Sequence, residues 1–274
     1  IVDAVRQHDH WLNGQGPGVY HQSGGVLGTT DEPDHSRHRR ILRSAFVPTA
    51  IERLAPRITE FADALLDELL PYGTDDYGEG DWVDAFAAPL PAMAIAELLG
   101  VGDEHRDDFH RWSSDAVNAL TGGDLDRYAA AKAAIEDVVE GGADERDASS
   151  AAGDTPPADV LGLLADARRA GTIDTRELRH IGYQLLVAGH ETTTSLIGLL
   201  LFRLLERPEV MARLRAEPDL LPGAIEEALR FDSPVHGLFR TNAAECSVSG
   251  VTIPADSKAQ MLFASANRDP ARFE

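Results

Sequence analysis

The longest helical pattern in the sequence has Ala188-Gly189-His190-Glu191-Thr192-Thr193 at its centre. Apolar residues three to four positions apart predict one helix over Thr175–Glu206, which Arg207-Pro208 would end. Asp174 and Glu177 have the spacing of a capping box at its start. About 30 residues at about 1.5 Å each give a helix of about 45–50 Å, so it should cross the whole core and decide the fold.

The polar centre of this helix is unusual for a segment that is otherwise suited to burial. Gly189 costs about 1 kcal/mol relative to alanine, and the polar run His190–Thr194 needs partners if it is buried. The small pair Ala188-Gly189 leaves room for a flat group beside the backbone. A threonine hydroxyl can bond a carbonyl one turn back and bend the helix, and an acid beside it can pass protons inward through water. Chemistry alone leaves two interpretations open, a satisfied polar layer or such a site. A zinc motif is disfavoured, because Thr194 stands where the second histidine would be.

The composition limits the class of protein. Of the 274 residues, 43% are hydrophobic, which is enough for one sizeable core or two small ones. We expect no membrane span and no leader segment, because no uncharged apolar run reaches roughly 18–20 residues. The net charge of −21 argues against nucleic-acid binding, and the single cysteine, Cys246, excludes a disulfide scaffold. The sequence therefore indicates a cytoplasmic protein.

Helical periodicity also dominates the rest of the chain, and it predicts a mainly α fold with a small β region. The further predicted helices are Ile51–Leu70, Pro91–Leu99, Leu125–Glu140, Ala158–Ala170 and Leu221–Phe231. Alternating apolar residues predict strands at Cys246–Ile253 and Ala259–Ala264, with a hairpin turn at Gly250–Pro254 between them. The stretch 140–157 is rich in Gly, Ala, Ser, Asp and Pro, and it predicts a mobile loop within a single domain, 1–274.

Ordered motifs flank the long helix. Before it stand Asp34-His35-Ser36-Arg37-His38-Arg39-Arg40 and Ala45-Phe46-Val47-Pro48. After it stand Glu227-Ala228-Leu229-Arg230-Phe231-Asp232-Ser233-Pro234-Val235, Ile253-Pro254-Ala255 and Ala266-Asn267-Arg268-Asp269-Pro270-Ala271-Arg272-Phe273. Together with the Ala-Gly-His-Glu-Thr-Thr segment, and in this order, they resemble the bacterial class of cytochrome P450 from Thr30 onward.

The resemblance implies a heme-thiolate monooxygenase with heme b and its iron as cofactor. Such an enzyme inserts one oxygen atom of O2 into an apolar organic small molecule. Its electrons come from NAD(P)H through ferredoxin and ferredoxin reductase. By the same resemblance, Glu191 and Thr192 form the catalytic pair that delivers protons, and Ala188 and Gly189 leave space for oxygen beside the helix.

The resemblance also assigns the other site residues. Three cationic side chains would hold the heme propionates: His35, Arg39 and Arg240. A structural triad on the thiolate side would comprise Glu227, Arg230 and Arg272. The substrate pocket would include Val187, Val235 and Leu238. A basic cluster would either receive the acidic iron–sulfur partner or be a solvated face: Arg37, Arg39, Arg40 and Arg43.

One family feature is not found in the sequence. The family's iron ligand is a cysteine in a loop after the Asn-Arg-Asp-Pro segment, and the sequence ends at Glu274 before that loop. Cys246 lies in a predicted hairpin strand without the loop's pattern, and we expect it to be an ordinary neutral cysteine. The resemblance thus implies a fold incomplete at both ends, with no metal ligand in this chain and no thiolate-ligated heme in it alone. The alternative is a heme-free relative that activates another enzyme, such as a glycosyltransferase.

Overall fold

A computed structural model describes residues 6–16, 18, 25–69, 80–102, 105–153 and 159–273, without the side chains of residues 106, 107, 120 and 121. The helices in these ranges are α1 Asp34–Leu42, α2 Pro48–Leu69, α3 Pro89–Leu99, α4 Arg106–Gly122, α5 Leu125–Ala151, α6 Val160–Arg169, α7 Thr175–Glu206, α8 Pro208–Ala216, α9 Leu221–Phe231 and α10 Phe263–Ala266. The strands are β1 Trp11–Leu12, β2 Leu238–Asn242, β3 Cys246–Val248, β4 Val251–Ile253 and β5 Lys258–Met261. The predicted mainly α fold with a small β region is confirmed.

Local hydrogen bonds explain where the long helix α7 begins and ends. The Asp174 carboxylate accepts the Glu177 N–H at 2.7 Å, and the Glu177 carboxylate accepts the Asp174 N–H at 3.0 Å. This capping box satisfies two amides that the first turn would leave without partners. The helix ends at Glu206, ahead of Pro208, so the predicted bounds and cap are both confirmed.

The mobile loop predicted over 140–157 is wrong as far as Ala151, because α5 continues to that residue. In this extension Ala143 is fully buried, on the same face as the fully buried Val139 one turn before it. On another face the Arg168 guanidinium pairs with Asp144 at 2.7 Å and with Asp147 at 2.6 Å. Packing and ion pairs against α6 therefore override a composition typical of loops. Residues 154–158 lie outside the described ranges.

Residues 37–195 form one compact unit. Its largest fully buried apolar side chains are Leu99, Phe109, Ile135, Leu161, Leu164, Leu178, Ile181 and Leu186. Burying each such side chain stabilises the fold by about 1.5–3 kcal/mol. Helix α4, which the periodicity did not predict, packs on α3 and α5 and supplies Phe109 to this core.

A second compact unit comprises residues 1–36 and 196–274. It contains an antiparallel sheet in the order β1-β2-β5, in which Trp11 lies opposite Asn242 and Leu238 lies opposite Met261. The prediction of a single domain stays a prediction.

The hairpin lies earlier in the chain than predicted. Strands β3 and β4 pair with each other, so the turn is at Ser249-Gly250 and not at Gly250–Pro254. Both turn residues have positive φ, 50° and 80°, the backbone that a tight hairpin turn needs. The strand predicted at Ala259–Ala264 ends at Met261, where α10 follows within two residues.

Among the described helices, α7 is long and apolar enough to cross a membrane. Core helices of soluble proteins have the same length and composition, so this property alone does not make α7 a membrane segment.

Candidate functional site

The centre of α7 has two different sides. On one side His190 is buried, with 1% of its surface exposed, and its Nδ1 is 2.7 Å from the Oγ of Ser113 on α4. On the other side Ala188 and Glu191 are exposed and Thr192 is half-buried. Since residues two apart on a helix point in nearly opposite directions, His190 is directed into the unit and Thr192 away from it.

Threonine hydroxyls bond backbone carbonyls one turn back in this segment, as the sequence predicted. Thr192 Oγ1 donates to the Ala188 carbonyl at 2.8 Å, and Thr194 Oγ1 donates to the His190 carbonyl at 3.0 Å. Such bonds compete with the amide of the following turn and favour a slight bend. Ala188 and Thr192 thus share one side of the helix and are joined by a hydrogen bond.

Gly189 is explained by packing against α3. A β-carbon at this position would stand 2.5 Å from Cδ1 and 2.7 Å from Cγ1 of Ile95, closer than van der Waals contact allows. The glycine thus lets α3 approach α7. The role of Ala188 and Gly189 in leaving space for oxygen stays a prediction, and of the two Ala188 is the residue on the exposed side.

The imidazole of His190 is held neutral. Burial and the neighbouring ring of His110, at a centroid distance of 5.5 Å, lower its pKa to about 4, while the backbone of Ala88 acts in the opposite direction. At neutral pH the ring is uncharged, and one hydrogen bond joins its Nδ1 to the Ser113 hydroxyl.

The amino-terminal end of α7 is a charged cluster. The Arg37 guanidinium donates to the Glu177 carboxylate at 2.7 Å and to the Thr172 carbonyl at 2.7 Å, and His38 Nε2 lies 3.2 Å from the same carboxylate. Arg37 first, then the Asp174 amide and His38, lower the pKa of Glu177 to about 2, against the effect of burial.

This pairing changes the predicted basic cluster. Arg37 does not belong to the solvated face, because its guanidinium is paired with Glu177. The side chains of Arg39, Arg40 and Arg43 are exposed, which agrees equally with a partner-binding surface and with a solvated face.

Two of the predicted propionate-binding residues lie around Asp31. The half-buried Arg240 on β2 donates to the Phe239 carbonyl at 3.1 Å; burial lowers its pKa, and the nearby charge of Asp31 opposes this. The His35 amide donates to the Asp31 carbonyl at 2.9 Å. Within the described ranges Arg240 forms no salt bridge. A half-buried cation without a bonded carboxylate fits an anionic ligand such as a heme propionate. Arg39 is exposed on α1.

The structure brings together two members of the predicted triad. Arg230 donates to both carboxylate oxygens of Glu227, at 2.7 and 2.5 Å, and to the Asn267 carbonyl at 2.6 Å. Its guanidinium also lies 4.8 Å from the ring centre of Phe273. In the described part of the chain the exposed Arg272 forms no ion pair with Glu227, so the triad stays a prediction.

A carboxylate that the sequence reasoning missed lies beside this pair. Asp232 has 10% of its side chain exposed and accepts from Arg203 at 2.5 and 3.0 Å and from Arg268 at 2.8 Å. Arg203 first, and then Arg268, lower the pKa of Asp232 against the effect of burial. Arg203 stands on the last turns of α7, and no local spacing links it to Asp232.

The predicted pocket residues are half-buried. Val235 lies just before β2, Leu238 is the first residue of β2, and Val187 lies on α7. Cys246 is half-buried in β3, opposite Ile253, so its predicted strand is confirmed.

Comparison with known proteins gives one family throughout. A family model for cytochrome P450 matches residues 113–274. Cytochrome P450 107B1 of Saccharopolyspora erythraea is 40% identical over 261 residues, which cover 94% of this chain and 61% of that protein. The 6-deoxyerythronolide B hydroxylase of the same organism is 35% identical over 252 residues, covering 90% and 59%. The ligand-free structure of cytochrome P450 TbtJ1 is similar with a TM-score of 0.84 and 33% identity, covering 99% of this chain and 69% of that one.

The chain spans about three fifths of the length of the curated relatives that it matches.

Proposed function

This chain belongs to the cytochrome P450 family, and on that premise we propose that the whole protein is a heme-dependent monooxygenase acting on an apolar organic small molecule. The observation that carries the proposal is the exposed side of the α7 centre. Here Thr192 Oγ1 bonds the Ala188 carbonyl at 2.8 Å, with the exposed Glu191 next to it. Heme iron, when bound, supplies the activation of O2 in this family.

Proton delivery is the role that we propose for Glu191 and Thr192. The exposed carboxylate of Glu191 can exchange protons with solvent. The Thr192 hydroxyl donates to Ala188 and keeps its acceptor positions free for a water molecule. On one side of the helix, Glu191 thus provides a proton source, Thr192 provides a relay, and the small Ala188 leaves space.

Heme b would be held through its propionates by cationic side chains, for which we propose His35, Arg39 and Arg240. Arg240 supports this best, because it is half-buried and its pKa is lowered by burial, so an anionic partner would relieve a cost.

Electron supply from NAD(P)H through a ferredoxin and its reductase is proposed on electrostatic grounds. The exposed side chains of Arg39, Arg40 and Arg43 form a local basic surface in a protein whose net charge is −21. Such a surface speeds association with an acidic partner. We propose a cytoplasmic location for this reaction.

Hydroxylation of an apolar substrate is proposed from the pocket residues and from one relative's name. Val187, Val235 and Leu238 are apolar and half-buried, as side chains are at the edge of a ligand site. The 35% identical relative is named as a hydroxylase.

The test is the variant Thr192→Ala in the whole protein, with Thr193→Ala as the matched control. Thr193 is exposed on a different side of α7, so the control makes the same chemical change outside the proposed site. We expect the product formed per NAD(P)H to fall about tenfold or more in Thr192→Ala and to stay unchanged in Thr193→Ala.

Equal coupling in both variants would remove the proton-delivery role. A whole protein that is purified without heme, and that stimulates another enzyme, would instead support the heme-free helper.

A further inference from the structure

The hydrogen bond between Ser113 on α4 and His190 on α7 is fully enclosed. Ser113 is 0% and His190 1% exposed, and the Oγ–Nδ1 distance is 2.7 Å. A buried polar pair is costly to break, because each group would then be left without a partner and without water. This bond therefore holds the α7 centre firmly to α4.

The bond lies in the turn of α7 where threonine hydroxyls also bond backbone carbonyls. The carbonyls of Ala188 and His190 each accept a threonine hydroxyl, which competes with the backbone ladder. Ala188 and Gly189 offer almost no side-chain surface to interlock with a neighbour. In this turn α7 meets its neighbours at Gly189, which faces Ile95, and at His190, which bonds Ser113 and lies beside the ring of His110.

The helix geometry links the rotation of α7 about its axis to the proposed site. At about 100° per residue, Thr192 lies roughly opposite His190, and Glu191 lies between them. A rotation that released His190 from Ser113 would carry Thr192 and Glu191 away from their present directions by the same angle. An anchor on one side of α7 therefore sets where the other side points.

We propose that Ser113 and His190 are positioning residues, whose buried hydrogen bond fixes the rotation of the α7 centre and thereby aims Glu191 and Thr192. The inference deepens the proposed function and rests on it. The neutral imidazole supports it, because an uncharged ring can stay buried at working pH, and either tautomer can keep the bond to the hydroxyl.

The first measurement needs no catalysis. Amide hydrogen exchange of residues 188–194 would be compared among the whole wild-type protein, Ser113→Ala and the neighbouring control Ser114→Ala. We expect exchange about threefold to tenfold faster in Ser113→Ala, and no change in the control, because one buried hydrogen bond restrains this segment. Equal exchange in all three proteins would overturn the inference whatever the enzyme does.

The second measurement separates positioning from simple stability. With bound heme, a substrate and NAD(P)H-driven electron supply, we expect Ser113→Ala to lower product per NAD(P)H about threefold to tenfold with KM nearly unchanged. His190→Asn keeps a polar group near the Nδ1 position and should retain coupling, whereas His190→Leu should lose it. Coupling that is unchanged in Ser113→Ala, or equally lost in His190→Asn and His190→Leu, would overturn the inference.

The two proposals fail in different ways. Absence of NAD(P)H-dependent product formation in the heme-loaded wild-type protein would count against the proposed function. A coupled wild-type enzyme whose coupling ignores Ser113 would count against the positioning role alone.

Discussion

Glu177 and His190 lie on the same helix, and the structure controls their charges in opposite ways. Near the amino-terminal end, Arg37 and two further donors keep Glu177 ionised, with a pKa of about 2. At the centre, burial and the His110 ring keep His190 neutral, with a pKa of about 4. Helix α7 is thus held at its end by a charged pair that is partly exposed and at its centre by an uncharged pair that is fully buried.

The largest expected effect concerns the neutral centre. Between pH 6.5 and about 4 the unfolded chain binds a proton at His190 that the folded chain does not bind. The contribution of His190 to stability is therefore complete above pH 6.5, and about 3 kcal/mol of the free energy of unfolding is lost as the pH falls through this window. Denaturant unfolding at a series of pH values, with an NMR titration of His190, measures this loss.

Two variants serve as controls for that measurement. His190→Asn should reduce the pH dependence between pH 6.5 and about 4, and His8→Asn, which changes an exposed histidine, should leave it unchanged. A His190 titration midpoint close to 6.5 would contradict the neutral centre. Glu177 contributes stability at a lower pH range. Its contribution is complete above pH 4.5 and is lost as the pH falls toward 2.

A smaller effect is expected at the charged end. Arg37→Leu leaves Glu177 without its main partner and should lower the free energy of unfolding at pH 7 by about 1–2 kcal/mol, since the pair is partly open to solvent. Arg40→Leu makes the same change at an exposed residue of the same helix, α1, and should have little effect. Chemical denaturation of both variants at low and high salt measures the difference. Equal losses in both would mean that the Arg37–Glu177 pair does not stabilise this end.

The smallest effect concerns a contact beside the neutral centre. Gly189→Ala adds a β-carbon 2.5 Å from Cδ1 of Ile95 and should lower the free energy of unfolding by about 1 kcal/mol, despite the better helix propensity of alanine. Gly141→Ala, in α5, meets no atom within 4 Å and should raise it by about the same amount. Thermal unfolding of both variants measures whether each substitution lowers or raises the stability. If Gly189→Ala stabilises the protein, α3 moves aside easily to make room for the new β-carbon. If it destabilises the protein, adding Ile95→Val should relieve the clash, because it shortens the side chain that the β-carbon meets.

The sequence predicted the parts of the site that depend on neighbours in the chain. Asp174 and Glu177 form the predicted capping box because both lie within one helical turn. The Thr192 bond to the Ala188 carbonyl was foreseeable for the same reason. The mainly α fold followed from apolar periodicity, which is also a local property.

The remaining features depend on distant partners. Ser113 and His190 are 77 positions apart, and an isolated serine in a helix carries no signal of its partner. Gly189 owes its identity to Ile95 on another helix, and Arg37 leaves the basic face because Glu177 comes within reach. The glycines and charges of 140–151 are typical of a loop until Arg168 and the packing on α6 hold them in a helix.

The pairing of β1 with β2 has a consequence for the order in which the chain acquires its structure. Trp11 pairs with Asn242, so all the residues between them must be synthesised before these two strands can pair. The entropic cost of closing a loop grows only slowly with its length, but strands that are far apart in the chain take a long time to find each other. Residues 37–195 are continuous, and we expect them to fold during synthesis while the first strand is still unpaired on the ribosome.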